Sequence, residues 1–137
     1  MSASKRILVV DDEKGIRFLL SEALMKEGFE VALARDGQES LERLEMDDFD
    51  LVITDINMPR LDGMEMLKKM KKSGRKEKVI VMTGNPYALS LSDKEMPHIV
   101  SHLLKPFGVE KLLNAVISAM GGVDVSQTSE YWHAAPA

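Results

Sequence analysis

Cysteine is absent from this chain of 137 residues, so no disulfide framework holds it together. Long apolar runs are missing too. Lys5 and Arg6 precede only the short run Ile7 to Val10, which is too brief for a signal-peptide core, and no segment approaches the roughly 20 apolar residues of a membrane span. A soluble, cytoplasmic protein without membrane insertion is expected. An excess of positive charge is also lacking: the formal net charge is -4, which disfavours nonspecific nucleic-acid binding, and no direct nucleic-acid contact is expected. Neither G-x-G-x-x-G nor G-x-x-x-x-G-K-[ST] occurs, which removes the usual dinucleotide and P-loop signatures. With 45% apolar residues the chain can bury one ordinary core, and a second domain has no room.

What is present is a set of short, β-branched, apolar runs: Ile7 to Val10, Leu51 to Thr54, Val79 to Met82 and Ile99 to Leu104. Being apolar on both faces, they suggest a buried parallel sheet. Between them lie helical repeats. Ile16, Leu19, Leu20, Ala23 and Leu24 form one stripe, and Val109, Leu112, Leu113, Val116, Ile117 and Met120 another. Asp36 and Asp62 are followed three residues later by Glu39 and Glu65, the pattern of an N-cap with a capping-box partner, so helices should begin there. Phe29 to Ala34 supplies a further short strand, giving five strands alternating with helices.

Asp11, Asp12, Asp55, Thr83 and Lys105 each stand at the end of an apolar run. In open α/β sheets the ligand site lies beyond the carboxyl ends of the strands, which would gather these five side chains into one pocket. Three clustered carboxylates repel one another, and a hard divalent cation removes the conflict. Mg²⁺ suits such a pocket, because it takes a few carboxylate oxygens and completes its shell with water and phosphate oxygens. No His or Cys stands beside these acids, which argues against zinc. A carboxylate near Mg²⁺ can attack a phosphoryl group, and a lysine and a hydroxyl can stabilise its equatorial oxygens. The pocket reads as an aspartyl-phosphate site.

Four motifs carry a family resemblance: Val9-Val10-Asp11-Asp12-Glu13, the segment Asp55-Ile56-Asn57-Met58-Pro59-Arg60-Leu61-Asp62-Gly63, Met82-Thr83-Gly84 and Leu104-Lys105-Pro106-Phe107. In this order and spacing the chain resembles the receiver domain of two-component response regulators, stand-alone chemotaxis receivers included, over roughly residues 5 to 120. The resemblance implies a flavodoxin-like, doubly wound α/β fold: a five-stranded parallel sheet in the order 2-1-3-4-5 with five helices. It implies Asp55 as phosphoacceptor and Mg²⁺ bound by Asp12, Asp55 and the backbone carbonyl of Asn57, with Asp11 holding the metal through water. Thr83 and Lys105 would contact the phosphoryl group, and a cis peptide often precedes the proline at Lys105-Pro106 in this family. The implied partners are a histidine kinase or histidine phosphotransfer protein and an output protein that the sequence does not identify. Such a domain is not a turnover enzyme; it phosphorylates itself from phosphodonors and loses the group slowly.

Two other readings stand beside this one: a receiver excised from a multidomain regulator or hybrid kinase, and a Mg²⁺-dependent phosphohydrolase. Hydrolases that work in the haloacid dehalogenase manner typically place a second Asp two residues after the nucleophile. Here that residue is Asn57, whose amide cannot shuttle a proton. The family usually carries Tyr or Phe three residues before the lysine, where this chain has His102, a candidate switch residue together with Thr83. Asn85 to Pro97 reads as a weak helix, with Ser90, Ser92 and Asp93 inside it. The run Lys68 to Lys76 falls at a helix C-terminus, where cations complement the macrodipole. Residues 1–120 are expected to form the domain and 121–137, which hold Tyr131 and Trp132, a mobile tail.

Overall fold

The computed structural model describes residues 4–58, 62–85 and 97–120. Its strands are β1 (Arg6–Val10), β2 (Glu30–Ala34), β3 (Leu51–Asp55), β4 (Lys78–Thr83) and β5 (Ile99–Leu104). The helices among the described residues are α1 (Lys14–Lys26), α2 (Gly37–Met46), α3 (Gly63–Lys72) and α4 (Val109–Met120). All four strand pairings are parallel, and the order is β2-β1-β3-β4-β5, as the resemblance implied. The helix expected between Asn85 and Pro97 falls almost wholly outside the described residues, as does the expected tail.

The apolar runs form central strands because successive side chains point to opposite faces, and both faces are covered. On one face Leu8, Val10, Val52, Val79 and Val81 pack with Leu44 of α2 and Met66, Leu67 and Met70 of α3. On the other, Ile7, Val9, Leu51, Ile53, Ile80 and Met82 pack with Leu20 and Leu24 of α1 and Leu112 and Val116 of α4. Each fully buried side chain of this size contributes roughly 1.5–3 kcal/mol against leaving it in water. These two layers therefore set the strand register firmly, since a slip of one residue would exchange the faces.

Two expectations about apolar residues change in the structure. β5 reads as doubly apolar, yet it is the last strand of the sheet; Leu103 is buried while Leu104 is half exposed. Leu19, counted in the apolar stripe of α1, is 49% exposed and turns from the core towards Pro106, Phe107 and Val109. The expected helix starts are present. Asp36 accepts a bond from the Glu39 N–H at 2.8 Å, and Asp62 accepts one from the Glu65 N–H at 2.9 Å. At the other end of α3, Lys69, Lys71 and Lys72 occupy the last turn, where the helix carbonyls favour cations.

Candidate functional site

The parallel register brings the strand ends level. Val10 pairs with Thr54, Asp55 with Met82, and Thr83 with Leu104, so the residues at or just past these positions share one rim of the sheet. Asp11 and Asp12 follow β1, Asp55 ends β3, Thr83 ends β4 and Lys105 follows β5. Carboxylate oxygens of Asp11, Asp12 and Asp55 all lie within 4.8 Å of one another. Asp11 and Asp55 are buried and Asp12 is exposed, so the cluster has one side open to solvent.

Lys105 ties the two buried acids together. Its Nζ donates to Asp11 Oδ2 and to Asp55 Oδ2, each at 2.9 Å. The remaining oxygens accept backbone bonds: Asp11 Oδ1 from the Glu13 N–H at 2.9 Å and Asp55 Oδ1 from the Asn57 N–H at 3.2 Å. Burial lowers the affinity of Lys105 for its proton, but the hydrogen bonds to Asp11 and Asp55 and their negative charge outweigh it, and the pKa rises above the ordinary lysine value. Three carboxylates against one ammonium still leave two formal negative charges uncompensated. Like unit charges about 4 Å apart repel by roughly 4 kcal/mol at an effective dielectric constant of ~20, and by less where one of them, as Asp12 here, faces water. The donors are all oxygens, lie close together and are open to water on one side, which fits a hard divalent cation rather than zinc.

Other expected residues divide into near and far. Thr83 is buried at the end of β4, its Oγ1 bonded to the Asn85 N–H at 3.0 Å and to the Asn85 carbonyl at 3.2 Å. Its backbone carbonyl accepts from the Lys105 N–H at 2.7 Å, which joins the tips of β4 and β5. The Lys105-Pro106 peptide is cis. Asn57 is exposed, with its N–H turned to Asp55. His102 stands apart from the acid cluster, exposed on β5 in a groove it shares with Lys78, His98 and Lys111.

Two supports were not legible as such in the sequence. A Cβ on Gly63 would collide with the Asp55 carbonyl oxygen and lie 2.7 Å from Ile56 Cα, so the start of α3 reaches the acceptor strand only because residue 63 lacks a side chain. The Gly63 N–H bonds the Ile56 carbonyl at 2.8 Å across that approach. Arg17 folds back from α1 to donate to the Asp11 carbonyl at 2.7 Å. The only sequence signal for it was a cation near the helix start, where the macrodipole disfavours positive charge.

Residues 7–117 match the response regulator receiver domain family. Sporulation initiation phosphotransferase F of Bacillus subtilis is 34% identical over 113 residues, covering 82% of this chain and 91% of that protein. Response regulator MprA of Mycolicibacterium vanbaalenii is 37% identical over 111 residues, which cover 79% of this chain but 47% of the relative, so the chain spans about half the length of MprA. Among solved structures, the response regulator TrrA of Thermotoga maritima in complex with Mg²⁺-BeF superposes with a TM-score of 0.75 at 36% identity, covering 84% of this chain and 98% of TrrA. The matched span contains the sheet apart from Arg6, and the whole acid-and-lysine rim, and the chain belongs to the response regulator receiver domain family.

Proposed function

We propose that Asp55 is the phosphoacceptor of this receiver. The observation that carries the reading is the position of its carboxylate: at the tip of β3, beside Asp11 and Asp12, with one oxygen on Lys105. One carboxylate oxygen of Asp55 forms a bond to phosphorus while the bond from phosphorus to the donor atom breaks, and the electron pair leaves with the donor. The product is an acyl phosphate. Mg²⁺, when bound by Asp12, Asp55 and the Asn57 carbonyl, with Asp11 acting through water, supplies the positive charge that lets the acceptor and the phosphoryl oxygens approach. The Mg²⁺-BeF complex of TrrA supports that choice of metal.

The chain's own groups do the rest. Lys105 can turn its ammonium from the carboxylates to a phosphoryl oxygen, and the Thr83 hydroxyl can exchange the bond it donates to the Asn85 carbonyl for one to the same group. Thr83 and Lys105 are already joined through their backbones, so a shift of either reaches the tips of both β4 and β5. His102, exposed on β5, is the proposed switch residue on the output side. The donor is a histidine kinase or histidine phosphotransfer protein, and the output is a partner protein.

Acetyl phosphate with Mg²⁺ tests the assignment. Intact-mass analysis should show one added phosphoryl group on the parent and none on Asp55→Asn; persistent single phosphorylation of that variant would move the site elsewhere. In NMR, beryllofluoride should shift signals from Thr83 to Phe107 most strongly, and shifts confined to the phosphate ligands would count against a switch. The excised-receiver reading draws on MprA, about twice as long as the matched span, whereas the Bacillus relative is nearly all receiver. The hydrolase reading is disfavoured by Asn57, whose amide stands where that chemistry needs an acid.

A further inference from the structure

Two of the three acids of the cluster, Asp11 and Asp12, lie in the short loop between β1 and α1 that ends at the N-cap residue Glu13. The Asp11 N–H bonds the Ala34 carbonyl at 3.1 Å, and Asp11 Oδ1 accepts from the Glu13 N–H. Glu13 makes no side-chain cap to α1. On the carbonyl side the hold is Arg17: its Nη1 donates to the Asp11 carbonyl at 2.7 Å while its own N–H bonds the Glu13 carbonyl at 3.1 Å. A single residue thus grips the loop on both sides of Asp12.

We propose that Arg17 is a positioning residue for the divalent cation. Fixing the Asp11 carbonyl fixes the peptide plane that leads into Asp12, the exposed acid of the cluster. The inference rests on the metal-dependent reading above and goes beyond it, since Arg17 bonds the backbone of Asp11 and not its carboxylate. Its charge works the other way. A guanidinium a few ångströms from the cluster repels a cation, so geometry and electrostatics make opposite predictions for its removal. Loss of an outer hydrogen-bonding partner weakens metal sites by about 10–100-fold. Arg17→Ala is therefore expected to lower Mg²⁺ affinity about tenfold, the lower end of that range because a positive charge is removed with the bond.

Calorimetric titration with Mg²⁺ alone, on parent, Arg17→Ala and Arg17→Lys, tests this. Arg17→Lys keeps the charge and a donor long enough to reach the carbonyl, and it should recover most of the affinity. Phosphorylation by acetyl phosphate supplies the second readout: in Arg17→Ala the Mg²⁺ concentration for half-maximal rate should rise, while the rate at saturating Mg²⁺ stays within about twofold of the parent. Unchanged or tighter Mg²⁺ binding by Arg17→Ala would overturn the proposal, as would an equal loss of rate at saturating metal with a large fall in melting temperature, because that marks a purely structural residue. Failure of the parent itself to bind Mg²⁺ would instead sink the metal-dependent reading, so the two failures are distinct.

Discussion

Both ends of the sheet gather three aspartates around one cation, and they differ in almost everything else. At the amino end, Arg6 donates to Asp47 at 3.5 Å and to the Asp48 carbonyl at 3.3 Å, and its backbone N–H bonds Asp50 at 2.8 Å. The guanidinium also lies 5.3 Å from the centre of the Phe49 ring. The side chains of Arg6 and Asp47 are about two-fifths exposed, so water screens their charges. At the carboxyl end, Lys105 meets Asp11 and Asp55 at 2.9 Å, with Asp11 wholly buried. Equal inventories of charge thus give a solvated strand cap at one end and an electrostatically incomplete pocket at the other. The burial of Asp11 and Asp55, not composition, separates the two groups of charge.

The strongest way to break that contrast is to remove the proposed nucleophile. Asp55→Asn should abolish phosphoryl transfer from acetyl phosphate, read as the absence of the added mass, while no acid of the Arg6 group should change that mass when replaced. Removing Asp12, the exposed acid proposed as a metal ligand, comes next. Asp12→Ala should weaken Mg²⁺ binding by more than about tenfold and cancel the rise in melting temperature that Mg²⁺ gives the parent through linkage. The metal-free variant should melt no lower than the parent, because one source of repulsion is gone; a marked fall would mean that Asp12 is structural.

A third change probes the support under the acceptor. Gly63→Ala should destabilise the fold by about 1–3 kcal/mol, since its methyl group meets backbone atoms that cannot swing aside. Urea unfolding measures it, and a neutral result would show that α3 has room to retreat. The smallest effect belongs to the amino end. Arg6→Ala should cost about 1 kcal/mol or less, from a screened ion pair and its contact with Phe49, and leave Mg²⁺ affinity unchanged in titration. An altered affinity would erase the distinction between the two ends.

The sequence disclosed most of this arrangement, and its gaps have physical causes. The β1, β3 and β4 runs could be read as central strands because Val, Ile and Leu fill both faces of each. The same rule misjudged β5, whose Leu104 is half exposed, because edge position follows from strand order and not from the run itself. Asp11, Asp12, Asp55, Thr83 and Lys105 could be foreseen together, since each stands where a strand ends and parallel strands end on one rim. Arg17 could not, as the reach of a long side chain depends on the path of the loop it grips. Gly63 was legible as part of a motif but not as a contact, because no pattern reveals the backbone on the far side of a glycine.

The bond from Lys105 to Asp11 spans 94 positions of the chain, and the one to Asp55 spans 50. Contacts of such long separation close late, because their loop entropy is lost before they return anything. Asp11 and Asp55 precede Lys105 in the chain, so any partly folded state that brings the two acids together without β5 lacks this counter-charge. The last strand of the chain is then the one that brings a counter-charge to the acids at the tips of the first and third.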